Sequence, residues 1–166
     1  MEGGVDRSRA LRHAETELRG LVRRVVPGAN IYFPRRRAHR VGYSWNGRHL
    51  RPTGMTLESQ LHEVAHLLLA SPQRRTMVEF GLGPDPYRRN DVPCVIPRED
   101  ADREELHTCW MQLLLAHLLE LDVGAVRCEF QLPPLTRAMV QTLAETYPEA
   151  LPQPWWPRAL AVVSAS

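Results

Sequence analysis

The chain has 166 residues, a net charge of +2 and 43% hydrophobic residues, enough to build one core. So small a charge implies no overall attraction to nucleic acid, and no apolar run is long enough to span a membrane. The charged, amphipathic N-terminus lacks the apolar stretch of a signal peptide, so the expectation is a single cytoplasmic domain over residues 1–166.

Residues 5–26 predict a helix, with Leu11, Ala14, Leu18, Leu21, Val22 and Val25 at helical spacing, stopped by Pro27-Gly28. His13 falls on its surface. Asn30-Ile31-Tyr32-Phe33 reads as a short strand ended by Pro34. Arg35, Arg36, Arg37, Arg40 and Arg51 follow as a solvated basic face; its functional reading is a docking patch for an acidic partner or a phosphate backbone. Asn46-Gly47 favours a tight turn, so residues 40–52 predict a hairpin on which Tyr32, Phe33, Tyr43 and Trp45 pack.

Thr56 then caps a helix over 57–70, free of Pro and Gly, with an apolar stripe of Leu57, Leu61, Val64 and Leu68. It carries His62-Glu63-Val64-Ala65-His66. Met77 to Phe80 read as a further short helix, and a long proline-rich loop runs from Gly81 to Pro97, of the kind that borders functional sites. An acidic start at Glu99, Asp100 and Asp102 suits a helix N-terminus; this helix turns apolar from Leu106 and is expected to end at Gly124. His117 within it reads as a core histidine. A helix over Leu135–Tyr147, a turn bearing Trp155-Trp156 and a short helix over Arg158–Val163 complete an α+β, mainly helical fold with a small sheet or hairpin. Cys94, Cys109 and Cys128 are widely spaced and odd in number, which fits buried or idle thiols and excludes a disulfide framework or zinc knuckle.

The chemistry lies in the HExxH stretch. His62 and His66, four apart on a helix, project from one face and can bind one metal ion, with Glu63 beside them as a base for metal-activated water. Two imidazoles on a buried helix are costly unless bound or paired. A mononuclear site needs a third protein ligand, and the acidic segment 99–105 is its best source. Asp102 is the first choice and Glu99 the second, with Glu105 and the imidazole of His107 behind them. Such a set serves Zn(II) in amide hydrolysis or Fe(II) in oxygen-dependent hydroxylation.

From His62 to Trp110 the chain resembles the bacterial elongation factor P hydroxylases. The resemblance rests on His62-Glu63-Val64-Ala65-His66, Arg74-Arg75, Phe80-Gly81, Glu99-Asp100 and Trp110, and upstream on Ile31-Tyr32-Phe33-Pro34. It implies a fold like that of small HExxH metallopeptidases, non-haem iron held by two histidines and a carboxylate, and hydroxylation of a modified lysine on elongation factor P. His62 and His66 would be iron ligands. The family's carboxylate is a Glu, whose counterpart here is the shorter Asp102, a departure that leaves Glu99 open. Arg35, Arg36, Arg37 and Arg40 would dock an acidic protein. The match fades beyond Gly124, so the substrate can differ. The readings in order are a hydroxylase-type enzyme with Fe(II), a small Zn(II) metallopeptidase with Glu63 as general base, and a non-catalytic binding module.

Overall fold

The computed structural model describes residues 3–32, 43–51, 56–84 and 91–163. Six α-helices are described: α1 (Gly3–Val25), α2 (Leu57–Leu69), α3 (Arg98–Leu118), α4 (Val123–Phe130), α5 (Arg137–Thr146) and α6 (Trp155–Val162). Two short strands, β1 (Asn30–Ile31) and β2 (His49–Leu50), pair in parallel with Asn30 opposite His49 and Ile31 opposite Leu50. The fold is mainly helical with a small sheet.

The core forms between α2 and α3. Leu61, Val64, Leu67 and Leu68 of α2 meet Met111, Leu114 and Leu115 of α3 in one buried cluster. From the other side α1 contributes Ala14, Leu18, Leu21 and Val22. Helices α4, α5 and α6 pack on α3, which is therefore surrounded along its apolar half. That explains its near-continuous run of apolar residues.

Caps fix the ends of α2. The Thr56 hydroxyl accepts the N–H of Ser59, and its own hydrogen goes to the carboxylate of Glu129 on α4. At the far end, the guanidinium of Arg75 donates to the carbonyls of Leu67 and Leu68, both at 3.0 Å, closing two acceptors the helix leaves open. Thr56→Ala is expected to cost about 1 kcal/mol of stability, the usual value of an N-cap. Urea unfolding of the metal-free protein measures it, and no change in the midpoint would deny the cap its role.

Several expected boundaries differ. Helix α3 does not run to Gly124; it stops at Leu118, with Glu120 left-handed at φ 56. The N–H of Leu121 bonds to Ala116 O at 2.9 Å and that of Glu120 to His117 O at 3.2 Å, which is a Schellman closure made without glycine. Asp122 then caps α4 by accepting the N–H of Ala125, and Gly124 lies inside that helix. The chain does turn at Asn46-Gly47, but not as the two-residue type I′ hairpin that the dipeptide favours: Trp45 bridges Leu50 antiparallel across four residues, only Gly47 has a positive φ, at 86, and Asn46 Oδ1 accepts the N–H groups of Arg48 and His49. Its parallel pairing with β1 was not legible. The expected short helix over 77–80 is instead a 3-10 turn at Glu79–Gly81, following another at Arg74–Thr76. Trp155 and Trp156 open α6 rather than preceding it, and the Trp156 indole donates to Pro148 O. Phe33, Arg35, Arg36, Arg37 and Arg40 lie outside the described residues. Arg51 is described, and its guanidinium sits 5.1 Å above the exposed Tyr32 ring.

Candidate metal centre

His62 and His66 stand one turn apart on α2 and face α3. Their Nε2 atoms are 3.1 Å apart. The carboxylate of Glu105, on the second turn of α3, reaches both: Oε1 lies 3.2 Å from Nε2 of His62 and Oε2 lies 3.2 Å from Nε2 of His66. Ligand atoms about 2.0–2.2 Å from one ion stand about 2.9–3.5 Å from each other at octahedral or tetrahedral angles. The separation of the two nitrogens falls in that range, and each nitrogen has one Glu105 oxygen within it. His62, His66 and Glu105 can therefore hold one metal ion, and this donor set suits Zn(II) as well as Fe(II).

The carboxylate is not the one expected. Asp102 sits one turn earlier at the cleft rim, 61% exposed, where it pairs with Arg98 at 2.9 Å. Glu99 belongs to the first turn of α3, beside the helix N-terminus. At 100° per residue, Glu105 lies about 20° around the axis from Gln112, Asp102 about 80° and Glu99 about 140°. Since Gln112 touches His62, only Glu105 lies on the facing stripe. His107 faces away from the histidine pair; its Nδ1 is 3.0 Å from the Tyr147 hydroxyl and its ring lies against Trp110.

Both imidazoles are held from behind. His62 Nδ1 is 3.1 Å from Gln112 Oε1, and His66 Nδ1 is 3.2 Å from Thr108 Oγ1. A carbonyl oxygen can only accept, so with Gln112 Oε1 as its partner His62 Nδ1 donates, and Nε2 is the atom turned toward Glu105, where a proton or a metal ion can sit between them. The ring faces are covered too. Phe130 of α4 stacks on His62 at 5.3 Å, and Phe80 stacks on His66 at 5.7 Å.

Electrostatics pull the cluster toward a bound cation. Burial opposes a charged His62, but the Cys109 thiol and the carboxylates of Glu105 and Glu63 outweigh it and push its pKa well above the ordinary imidazole value. Burial likewise opposes a charged Glu105, yet the hydrogen bonds and charges of the two imidazoles hold its carboxyl well below the usual range. A proton and a metal ion compete for the same point between these three side chains.

The wall beside His66 is strained. Glu79 and Phe80 are consecutive non-glycine residues in the left-handed region, with φ 47 and 55, a conformation costing about 1–3 kcal/mol each. Contacts on both sides hold them. Glu79 Oε1 accepts the Ser44 N–H at 2.6 Å, and Phe80 is sandwiched between His66 and the parallel ring of Trp45, 5.8 Å away. At Gly81, φ is 67 and a β-carbon would come within 2.6 Å of Val95 Cγ2, so only glycine fits. The loop after it borders the site as expected, through Leu82, Gly83 and Pro84.

Comparison with family models, curated proteins and solved structures finds no match. The site must be judged on its own geometry.

That geometry is an open cleft of about 820 Å³ with the two histidines and Glu105 in its floor. Glu105 itself is 52% exposed, so one side of the centre faces the cleft. Glu63 lines the cleft beside His62. Cys109, one turn beyond Glu105, lines it too and is half-buried, while Cys94 and Cys128 are exposed, so none of the three is a buried thiol. No motif of the sequence marks Thr108 and Gln112; they are polar residues in a stretch dominated by Leu, Trp, Met and Ala, and the structure buries both completely.

Proposed function

We propose that this chain is a metal-dependent enzyme of the hydroxylase type, with Fe(II) held by His62, His66 and Glu105 and a protein side chain as substrate. The observation that carries the reading is the convergence of two Nε2 atoms and one carboxylate at 3.1–3.2 Å in the floor of an open cleft. Two histidines and a carboxylate on one side leave the opposite positions free for reactants. Iron bound there supplies oxygen activation.

The residues behind the resemblance to the elongation factor P hydroxylases have a physical place around this centre. Arg75 caps the histidine helix, Arg74 pairs with Glu104 next to Glu105, and Phe80 covers His66. The cleft also carries the carboxylate of Glu63, beside the rim pair Arg98–Asp102, and it can meet a cationic lysine-type side chain. Elongation factor P is the substrate the resemblance implies. A metallopeptidase-like arrangement, in which a HExxH helix is crossed by a helix bearing the carboxylate, belongs to the same proposal.

One observation favours a second reading, a Zn(II) metallopeptidase. Glu63 lines the cleft next to His62, where a general base for a metal-activated water would stand. Metal analysis of protein purified without added metal separates the two. Iron with oxygen-dependent modification of a lysine-bearing protein is the expected result; stoichiometric zinc with peptide cleavage overturns it. Glu63→Gln gives an independent check in a turnover assay. The hydroxylase reading expects turnover to stay within the same order, whereas loss of a water-activating base lowers it about 10²–10⁴-fold.

A further inference from the structure

Helix α3 does more than supply the third ligand. Glu105, Thr108 and Gln112 stand at i, i+3 and i+7, one stripe of a helix. Glu105 meets the Nε2 edges of both imidazoles; Thr108 and Gln112 meet their Nδ1 edges. Each ring is thus gripped at both nitrogens by the same helix.

We propose that Thr108 and Gln112 are the positioning residues of the metal centre, setting the tautomer and orientation of His66 and His62 respectively; this rests on the metal-binding reading of the site. Both side chains are fully buried, at 0% exposure, among leucines of the α2–α3 core. Apolar side chains of similar size would pack there without the cost of burying an amide and a hydroxyl. The two polar groups fall at the positions that touch the imidazoles. Gln112 presents a carbonyl oxygen, an obligate acceptor, so the partner nitrogen must be the protonated one. Nε2 is then the nitrogen that a metal ion beside Glu105 would meet. Both partners are neutral, so they orient the rings without adding another negative charge beside Glu105 and Glu63.

The test compares Gln112→Leu, Thr108→Val and Gln112→Glu with the parent chain. Affinity for Zn(II) and for Co(II) is read by competition with a chromophoric chelator. Loss of an outer hydrogen bond to a ligating histidine weakens binding about 10–100-fold, which is the result expected for Gln112→Leu and Thr108→Val. Gln112→Glu keeps an acceptor at the same place and is expected to restore affinity. In the zinc-loaded protein, ¹⁵N-histidine spectra should show two slowly exchanging Nδ1–H protons. Gln112→Leu should lose only that of His62, and Thr108→Val only that of His66. A merely structural role would lower stability and leave these protons in place.

Parent-like affinity in both apolar variants overturns the proposal while leaving the metal site standing. A parent chain that takes up neither ion overturns the metal reading itself, and the proposal with it. Should Gln112→Leu fail to fold, Thr108→Val, which keeps side-chain shape, carries the same two readouts.

Discussion

Glu105→Gln abolishes stoichiometric metal binding, and Asp102→Asn leaves it intact; this is the expected outcome of equilibrium dialysis followed by metal analysis. Glu105 places one oxygen 3.2 Å from each Nε2, whereas Asp102 spends its carboxylate on Arg98 at the rim. An amide in place of the Glu105 carboxylate removes the negative charge that balances the ion and puts a donor where an acceptor is needed. Loss of an outer partner alone costs about 10–100-fold in affinity, so loss of a direct ligand should exceed about a hundredfold. Stability follows by linkage. With free metal at a hundred times its dissociation constant, the parent gains about 2.7 kcal/mol. For a chain of this size that is about 5–10 °C in Tm. The Glu105→Gln protein should show no such shift. The reverse pattern, with metal lost in Asp102→Asn and kept in Glu105→Gln, would return the third ligand to Asp102.

Why the sequence points to the acidic segment but ranks Asp102 above Glu105, the carboxylate that meets the histidines, is a matter of helix phase. The spacing of His62 and His66 sets their common face without any tertiary information, because both belong to one helix. The Thr56 cap and the buried stripe of Leu61, Val64 and Leu68 were equally local. The carboxylate belongs to another helix, and its choice depends on how α3 is rotated against α2. Glu99, Asp102 and Glu105 are chemically close and span about two turns, so composition cannot rank them. Thr108 and Gln112 hold that phase information, because a buried polar pair in an apolar run marks the side that faces other polar groups.

Other misreadings have the same origin in contacts distant along the chain. Gly124 reads as the stop signal for α3, but a Schellman closure with Glu120 at the left-handed position ends it earlier, and Arg158 from α6 donates to the freed carbonyl of Leu118. The left-handed pair Glu79 and Phe80 contradicts local preference, and it exists because Ser44, Trp45 and His66 hold both side chains. Strain of this kind beside a candidate ligand is where local rules are expected to fail.

The second large effect concerns Arg74. Its guanidinium meets the carboxylate of Glu104 with both side chains only 10% exposed, so the pair lies in the interior between the turn at 74–76 and α3. Arg74→Met leaves the Glu104 charge without its partner, which costs about 3–5 kcal/mol for a buried pair. An exposed pair would be worth less than about 1 kcal/mol, so urea unfolding distinguishes the two cases. The double variant Arg74→Met/Glu104→Leu should recover most of the loss, because burying two charges is itself costly. Its recovery is favoured here: among the described residues, Arg74 Nη1 and Glu104 Oε1 have no hydrogen-bond partner, so the native pair is incompletely satisfied. Metal affinity then separates stability from site geometry. Glu104 adjoins Glu105, and Arg74 begins the segment that carries Phe80 onto His66. If the pair serves only to hold that segment, the double variant regains both stability and metal binding. Regained stability with weakened binding would show that the ion pair also sets the angle at which Glu105 meets the histidines.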